Sequence, residues 1–211
     1  MKKEHLFIPY ESEELLVSFG SHGQPKLFWF KDGILRNDQQ MNLLFIRNEN
    51  NWYMDDDEGE GYQKFLQEYV SKYKKENVTF FGSSMGAYGA LYHGLKLGVN
   101  VIASNPQITK EETIKHGEPE GQNLWASLQK VDFKSIPDVF NELGKIDSAI
   151  HMIIGQNPLD IGNFEIFLST LPENTKLTIE RFASSEHIFT LNTADSIYSR
   201  AKALNYYRKA I

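Results

Sequence analysis

Residues 78–94 read VTFFGSSMGAYGALYHG, and the fold turns on what this stretch is. Val78 to Phe81 form a short apolar run of the kind that fills a strand buried on both faces. From about Ser84 to Leu97 the pattern becomes that of a helix rich in small residues. Between the two, Gly82 and Gly86 frame Ser84 in a G-x-S-x-G pattern. At the content of 15 Gly in 211 residues, with as many Ser, that pattern arises by chance about 0.07 times, so it carries weight only in context. A nucleophile elbow needs a buried strand before it and a helix after it, and both are here. The serine of such a turn occupies a backbone region that costs about 1–3 kcal/mol. Side chains two residues to either side would collide with each other or with neighbouring strands. Ala87, Gly89 and Ala90 then let the helix lie close to the sheet. Its N-terminus offers N–H groups and partial positive charge to a developing oxyanion, with the Met85 N–H as the expected first donor. The competing reading makes Ser84 an N-cap and the glycines packing residues. Ser83, off the centre of the pattern, is the other serine in reach.

Outward from the elbow, strand-like runs alternate with helical ones. ELLVSFG (14–20), KLFWF (26–30) and NLLFIRN (42–48) read as strands, close enough in sequence to pair antiparallel. Residues 60–75 place Tyr62, Phe65, Leu66, Tyr69, Val70 and Tyr73 on one helical face. VNVIASN (99–105), AIHMIIG (149–155) and KLTIERF (176–182) are later strands. Residues 195–210 read as a closing helix with Ile197, Ala201 and Leu204 inward. The alternation predicts one α/β domain over 1–211, a mostly parallel central sheet with helices on both faces. The irregular insert 106–148 leaves a strand's carboxyl end, where ligands bind in open α/β sheets, and is expected to form a small lid or pocket wall.

Composition narrows the function. Hydrophobic residues make up 41% and aromatics 13%, enough for a folded core. A net charge of -6 argues against a nucleic-acid partner. The chain has no cysteine, which excludes disulfides, thiolate catalysis and zinc–thiolate sites. Glu4 and Pro9 break any signal-peptide apolar region, and no apolar run reaches the ~20 residues of a membrane span, so a cytoplasmic location is expected.

A serine nucleophile needs a base, and behind an elbow the order is serine, acid, histidine. His5 and His22 precede Ser84. His93 lies about two turns into the elbow helix and should point away, His116 is in the insert, and His151 is inside a strand. His187 follows the last predicted strand on a loop, where the base belongs. Asp160 is the first carboxylate after the strand 149–155, but it also begins a helix with Phe164, Phe167 and Leu168 inward, so an N-cap is its rival role. Asn157 occupies the place directly before Pro-Leu where many hydrolases carry the acid. Glu186 and Asp147 are weaker alternatives. The second oxyanion donor is expected after the third strand, from the backbone N–H of Arg47 or Asn48. The acidic run 55–58 lacks the alternation that aims oxygens at one calcium ion, so no metal site is expected. Trp52 and Tyr53 beside it suit either a sugar-stacking pocket wall or the core.

These pieces resemble the α/β-hydrolase superfamily. More narrowly, LLVSFGSHG, NLLFIRNENNWYMDDDEG, VTFFGSSMGAYGAL, ASNPQ, PLDIGN and SEHIF are similar, in order along most of the chain, to a bacterial group related to the acetyltransferase-like component of accessory Sec glycoprotein export. The resemblance implies Ser84 as nucleophile, His187 as base and Asp160 as acid. It implies a serine esterase or acyltransferase acting without cofactor, with an O-acetyl or similar ester on a glycan as substrate, and partners in glycan export or glycosylation. Two other readings stay open: a non-catalytic scaffold that keeps the elbow, and a thioester or peptide hydrolase with the same residues.

Overall fold

The computed structural model describes residues 3–22, 31, 41–48, 52–54, 58–116, 128–187 and 193–210. The run 26–30 read as a strand lies outside them. Among the described residues, seven strands form one sheet: β1 (Glu4–Ile8), β2 (Leu15–Phe19), β3 (Asn42–Arg47), β4 (Val78–Ser83), β5 (Asn100–Ser104), β6 (Ala149–Ile154) and β7 (Lys176–Arg181), in the spatial order β1-β3-β2-β4-β5-β6-β7. All neighbours are parallel except β1, which pairs antiparallel with β3. The antiparallel pairing expected within the first predicted strands therefore falls elsewhere: β2 and β3 are parallel, and the antiparallel strand is β1.

Strand residues alternate between two apolar layers, as a pleat requires. Leu15, Val17, Phe19, Phe80, Val101, Ile150 and Met152 face one layer, with the helices α1 (Glu60–Val70), α2 (Met85–Leu97), α4 (Ile136–Leu143) and α5 (Pro158–Thr170) on that side. Leu16, Leu43, Phe45, Phe81, Ile102 and Ile153 face the other, which α6 (Ala194–Lys209) covers with Ile197, Tyr198, Ala201 and Leu204. The short helix α3 (Lys110–Lys115) starts the insert. Helix α1 ends at Val70 rather than continuing to 75; Tyr62, Leu66 and Val70 are buried, while Phe65, Tyr69 and Tyr73 are partly buried against the core. Leu168, expected inward, is 42% exposed on α5, whereas Phe164 and Phe167 are buried. The described part of the insert is built into the core: Ile136, Val139 and Phe140 of α4 are buried in the α2 layer, and Tyr88 donates from α2 to the Lys134 carbonyl at 2.8 Å. Residues 117–127, where a lid would lie, are outside the described residues.

The chain moves from β2 outward to β3, then returns to place β4 on the other side of β2. The carboxyl ends of β2 and β4 thus flank the point where strand order reverses, the usual ligand position in such a sheet. Among the described residues, no helix is long and apolar enough to cross a membrane.

Candidate active site

Strand β4 runs straight into α2 with Ser84 between them. Ser84 has φ 54 and ψ -122, a region only glycine enters freely, and holding another residue there costs about 1–3 kcal/mol. Its N–H donates to the Ser104 carbonyl at 2.9 Å, and its own carbonyl accepts from Ala87 and Tyr88 at the start of α2. The flanking glycines are required by backbone approach. A Cβ on Gly82 would fall on the Gly86 carbonyl and 2.6 Å from the Ala87 nitrogen; one on Gly86 would lie 2.5 Å from the Phe19 oxygen and 2.9 Å from the Gly20 oxygen. The Gly82 clash is with the first turn of α2, and the Gly86 clash is with the end of β2, which the β2–β4 pairing holds in place. Gly86→Ala should therefore destabilise the protein by about 3 kcal/mol or more, the upper end of overpacking costs, lowering the melting temperature by roughly 6–12 °C. Calorimetry checks this; an unchanged melting temperature would mean that the turn is not as tight as described.

Ser84 occupies the N-cap position of α2 but makes no side-chain capping bond. Its Oγ lies instead 2.8 Å from His187 Nε2. On the other side of the ring, His187 Nδ1 lies 2.5 Å from Asp160 Oδ1. The carboxylate accepts the Nδ1–H, which leaves Nε2 to accept the Ser84 hydroxyl proton. The rival role of Asp160 goes to its neighbour. Asn157 is the N-cap of α5, its Oδ1 accepting from the Leu159 N–H at 3.0 Å, and Pro158 and Leu159 fill the first two helical positions. Asp160 is thereby free to turn toward His187, only 1% exposed. Burial raises its pKa above the ordinary carboxylate value, while His187 pulls it back down. Its second oxygen, Oδ2, is buried with no hydrogen-bond partner among the described residues.

The histidine loop is tied from below. Asn157 Nδ2 donates to the Ser185 carbonyl at 3.1 Å, and the Gln156 N–H to that of Ser184 at 2.6 Å. Asn105, at the tip of β5, has φ 46 and is fully buried. It donates from Nδ2 to the His187 carbonyl at 2.5 Å and accepts the Gly155 N–H on Oδ1 at 3.3 Å. One side chain thus joins the ends of β5 and β6 to the backbone of His187. Its signal in sequence was only the segment ASNPQ.

The other candidates are elsewhere. His93 is buried between Gln63 and the Tyr53 carbonyl, His116 pairs with Glu112 at 2.9 Å, and His151 with Glu180 at 3.1 Å. Ser83 is buried within β4. Glu186 is exposed, and Asp147 pairs with Lys145. Trp52 and Tyr53 are fully buried, with φ of 56 and 61, which assigns them to the core. Residues 55–57 of the acidic run lie outside the described residues.

Arg47 and Asn48 are not brought to Ser84. They lie at the end of β3, which β2 separates from β4. The Arg47 guanidinium meets Glu4 of β1 at 3.3 Å; the Asn48 N–H bonds to the Tyr53 hydroxyl and its side-chain amide donates to Tyr62. The strand beside β4 is β2, so the loop that faces the Ser84 turn is Gly20–His22. Counting strands along the chain points to the loop after β3 instead, because chain order is not sheet order. The Gly20 N–H donates to the Ile46 carbonyl at 3.0 Å, which makes Ser21 the next N–H in that loop.

The sheet order, the strand–serine–helix turn and the late acid and histidine after β6 and β7 decide the architecture. The chain has the α/β-hydrolase fold. Neither a protein-family model nor a curated protein sequence matches it, but solved α/β-hydrolase structures do. The capsule O-acetyltransferase of Neisseria meningitidis serogroup A, in complex with caged gadolinium, superposes with a TM-score of 0.69 at 17% identity, over 96% of this chain and 90% of that one. The glycosylation-associated Gap123 complex of Streptococcus agalactiae gives 0.65 at 15%, over 98% of this chain and 43% of that one. An esterase of Pyrococcus furiosus gives 0.60 at 15%, over 99% and 91%.

Proposed function

We propose that this α/β-hydrolase-fold protein is a serine esterase or acyltransferase that works through a covalent acyl-enzyme on Ser84. The observation that carries the reading is the line from Ser84 Oγ through His187 to Asp160, 2.8 and 2.5 Å long, on a serine that makes no cap. His187 Nε2 takes the hydroxyl proton as Ser84 Oγ forms a bond to the acyl carbon. Asp160 holds the ring in the Nδ1–H tautomer and stabilises the imidazolium. The proton passes to the leaving oxygen as the acyl–oxygen bond breaks. Water or a sugar hydroxyl, deprotonated by His187 in turn, then takes the acyl group. The Met85 N–H, in the first turn of α2, and the Ser21 N–H serve as oxyanion donors.

An O-acetyl or similar short ester on a glycan is the substrate class we favour. The capsule O-acetyltransferase and the glycosylation-associated complex among the similar folds support that choice, as does the sequence resemblance. They also support a glycan-export or glycosylation setting for its partners. The test is a panel of p-nitrophenyl acetate, acetylated sugars and an acetyl thioester, each with and without a free saccharide acceptor. Acetyl release that speeds up with the acceptor, with the label found on the sugar, identifies transfer. Release indifferent to the acceptor identifies hydrolysis. No turnover of any ester by folded protein would contradict the proposal.

A further inference from the structure

Tyr53 has no role in the chemistry above, yet the fold goes to unusual lengths to hold it. It is fully buried in the left-handed region at φ 61, directly after Trp52 at φ 56, where bulky residues are rarely found. Its ring sits over Gly89, where an added Cβ would come within 2.5 Å of Cδ2. Phe19 and Tyr62 meet the ring edge-on, with centroids 5.1 and 5.2 Å away. Its carbonyl accepts from His93 Nε2 at 3.0 Å. His93 is itself buried, its pKa lowered to about 3 by desolvation, and its Nδ1 lies 2.8 Å from Gln63 Oε1. All of this fixes one hydroxyl, which takes the Asn48 N–H and donates to the Gly20 carbonyl at 2.6 Å. Burial lifts the phenol well above its usual range, so it remains a donor at working pH.

The Gly20 carbonyl and the Ser21 N–H belong to one planar trans peptide, and in such a unit they point in opposite directions. The Gly20 oxygen points down, between the Tyr53 hydroxyl and the Gly86 backbone. The Ser21 N–H is thereby turned up, away from this floor. We infer that Tyr53 is a positioning residue that locks the Gly20–Ser21 peptide so that the Ser21 N–H serves as the second oxyanion donor. This rests on the acyl-enzyme reading and adds the device that pre-organises its oxyanion hole. A donor fixed before the reaction needs no reorganisation as charge develops, and its effect is confined to the transition state.

The experiment compares wild type, Tyr53→Phe and Tyr198→Phe in short-ester turnover and in binding a trifluoromethyl ketone. The ketone carbon takes the Ser84 oxygen, the serine proton passes to His187, and the carbonyl oxygen becomes an oxyanion in the hole. Tyr53→Phe should lower kcat by about 10- to 100-fold with KM within about twofold, and weaken the ketone by the same factor as kcat/KM. Tyr198→Phe loses a hydroxyl on a side chain buried under α6, on the opposite face of the sheet, and should leave both within about twofold. Gly89→Ala, favourable by helix propensity alone, should reproduce the kcat loss because it displaces the Tyr53 ring. It serves as the deciding variant if Tyr53→Phe does not fold. Full kcat and ketone affinity in folded Tyr53→Phe, with active wild type, would overturn the inference and leave the Ser84 reading standing. Wild type that neither turns over esters nor forms the ketone adduct would overturn both.

Discussion

Ser84→Ala should abolish ester turnover, with a loss of about 10^4-fold or more in kcat, and leave the fold intact. The size follows from what the hydroxyl does. In the proposed mechanism its oxygen is the atom that bonds to the acyl carbon, and removing one member of a serine–histidine–acid unit removes nearly the whole effect of that unit. What survives is the oxyanion hole and substrate binding, worth about 10^3–10^4 over water in comparable enzymes. The fold should not suffer, because the Ser84 side chain caps nothing and its backbone bonds to Ser104, Ala87 and Tyr88 remain. Steady-state kinetics with p-nitrophenyl acetate, beside a melting curve, checks both halves. Turnover kept in the alanine variant would assign the activity to another residue.

Asp160→Asn should separate activity from stability even more sharply. An amide can offer its NH2 to Nδ1 and so favour the tautomer with the proton on Nε2, where it blocks transfer from Ser84. A loss of about 10^4-fold in kcat is expected. Stability should move the other way or not at all. Burial raises the folded pKa of Asp160 above its unfolded value, so its contribution to stability is full below the unfolded pKa near 3.8 and is lost as pH rises through the folded pKa. Above the folded pKa the carboxylate is ionised at a cost, with Oδ2 buried and without a hydrogen-bond partner among the described residues, and the neutral amide removes that cost. A melting temperature at pH 7 equal to or above wild type, with activity gone, is the expected pair of results. A variant that melts several degrees lower and retains turnover would make Asp160 a structural residue.

Much of this arrangement was legible in the sequence because it depends on local signals. The elbow reports itself through an apolar strand, two glycines whose Cβ atoms would strike backbone, and a helix of small residues. His187 and Asp160 follow from chain order after late strands. Asn157, which stands where an acid was first sought, proved to be the cap that frees Asp160 for the histidine. The misreadings arose where distant chain segments decide. Nothing local in NLLFIRN says that β2, rather than β3, lies beside β4, so the second oxyanion donor was placed two strands away at Arg47 and Asn48. The edge strand β1 is only partly buried, which blurs its pattern. Trp52 and Tyr53 gave no sign of their positive φ, because aromatic residues do not ordinarily adopt it, and their burial depends on Gly89 and Phe19 arriving from other parts of the fold. Leu168 follows the apolar pattern of α5 but falls on its outer side, since helical spacing gives a stripe and not its edges.

The central claim is that His187 and Asp160 activate Ser84 as a nucleophile. The most direct test is a fluorophosphonate, whose phosphorus takes the serine oxygen and expels fluoride, followed by proteolysis and mass spectrometry of the labelled peptide. The adduct should sit on Ser84 in wild type, be absent from Ser84→Ala, and form far more slowly in His187→Ala. Folded wild-type protein that takes no label, or takes it on Ser83 or a remote serine, would contradict the account.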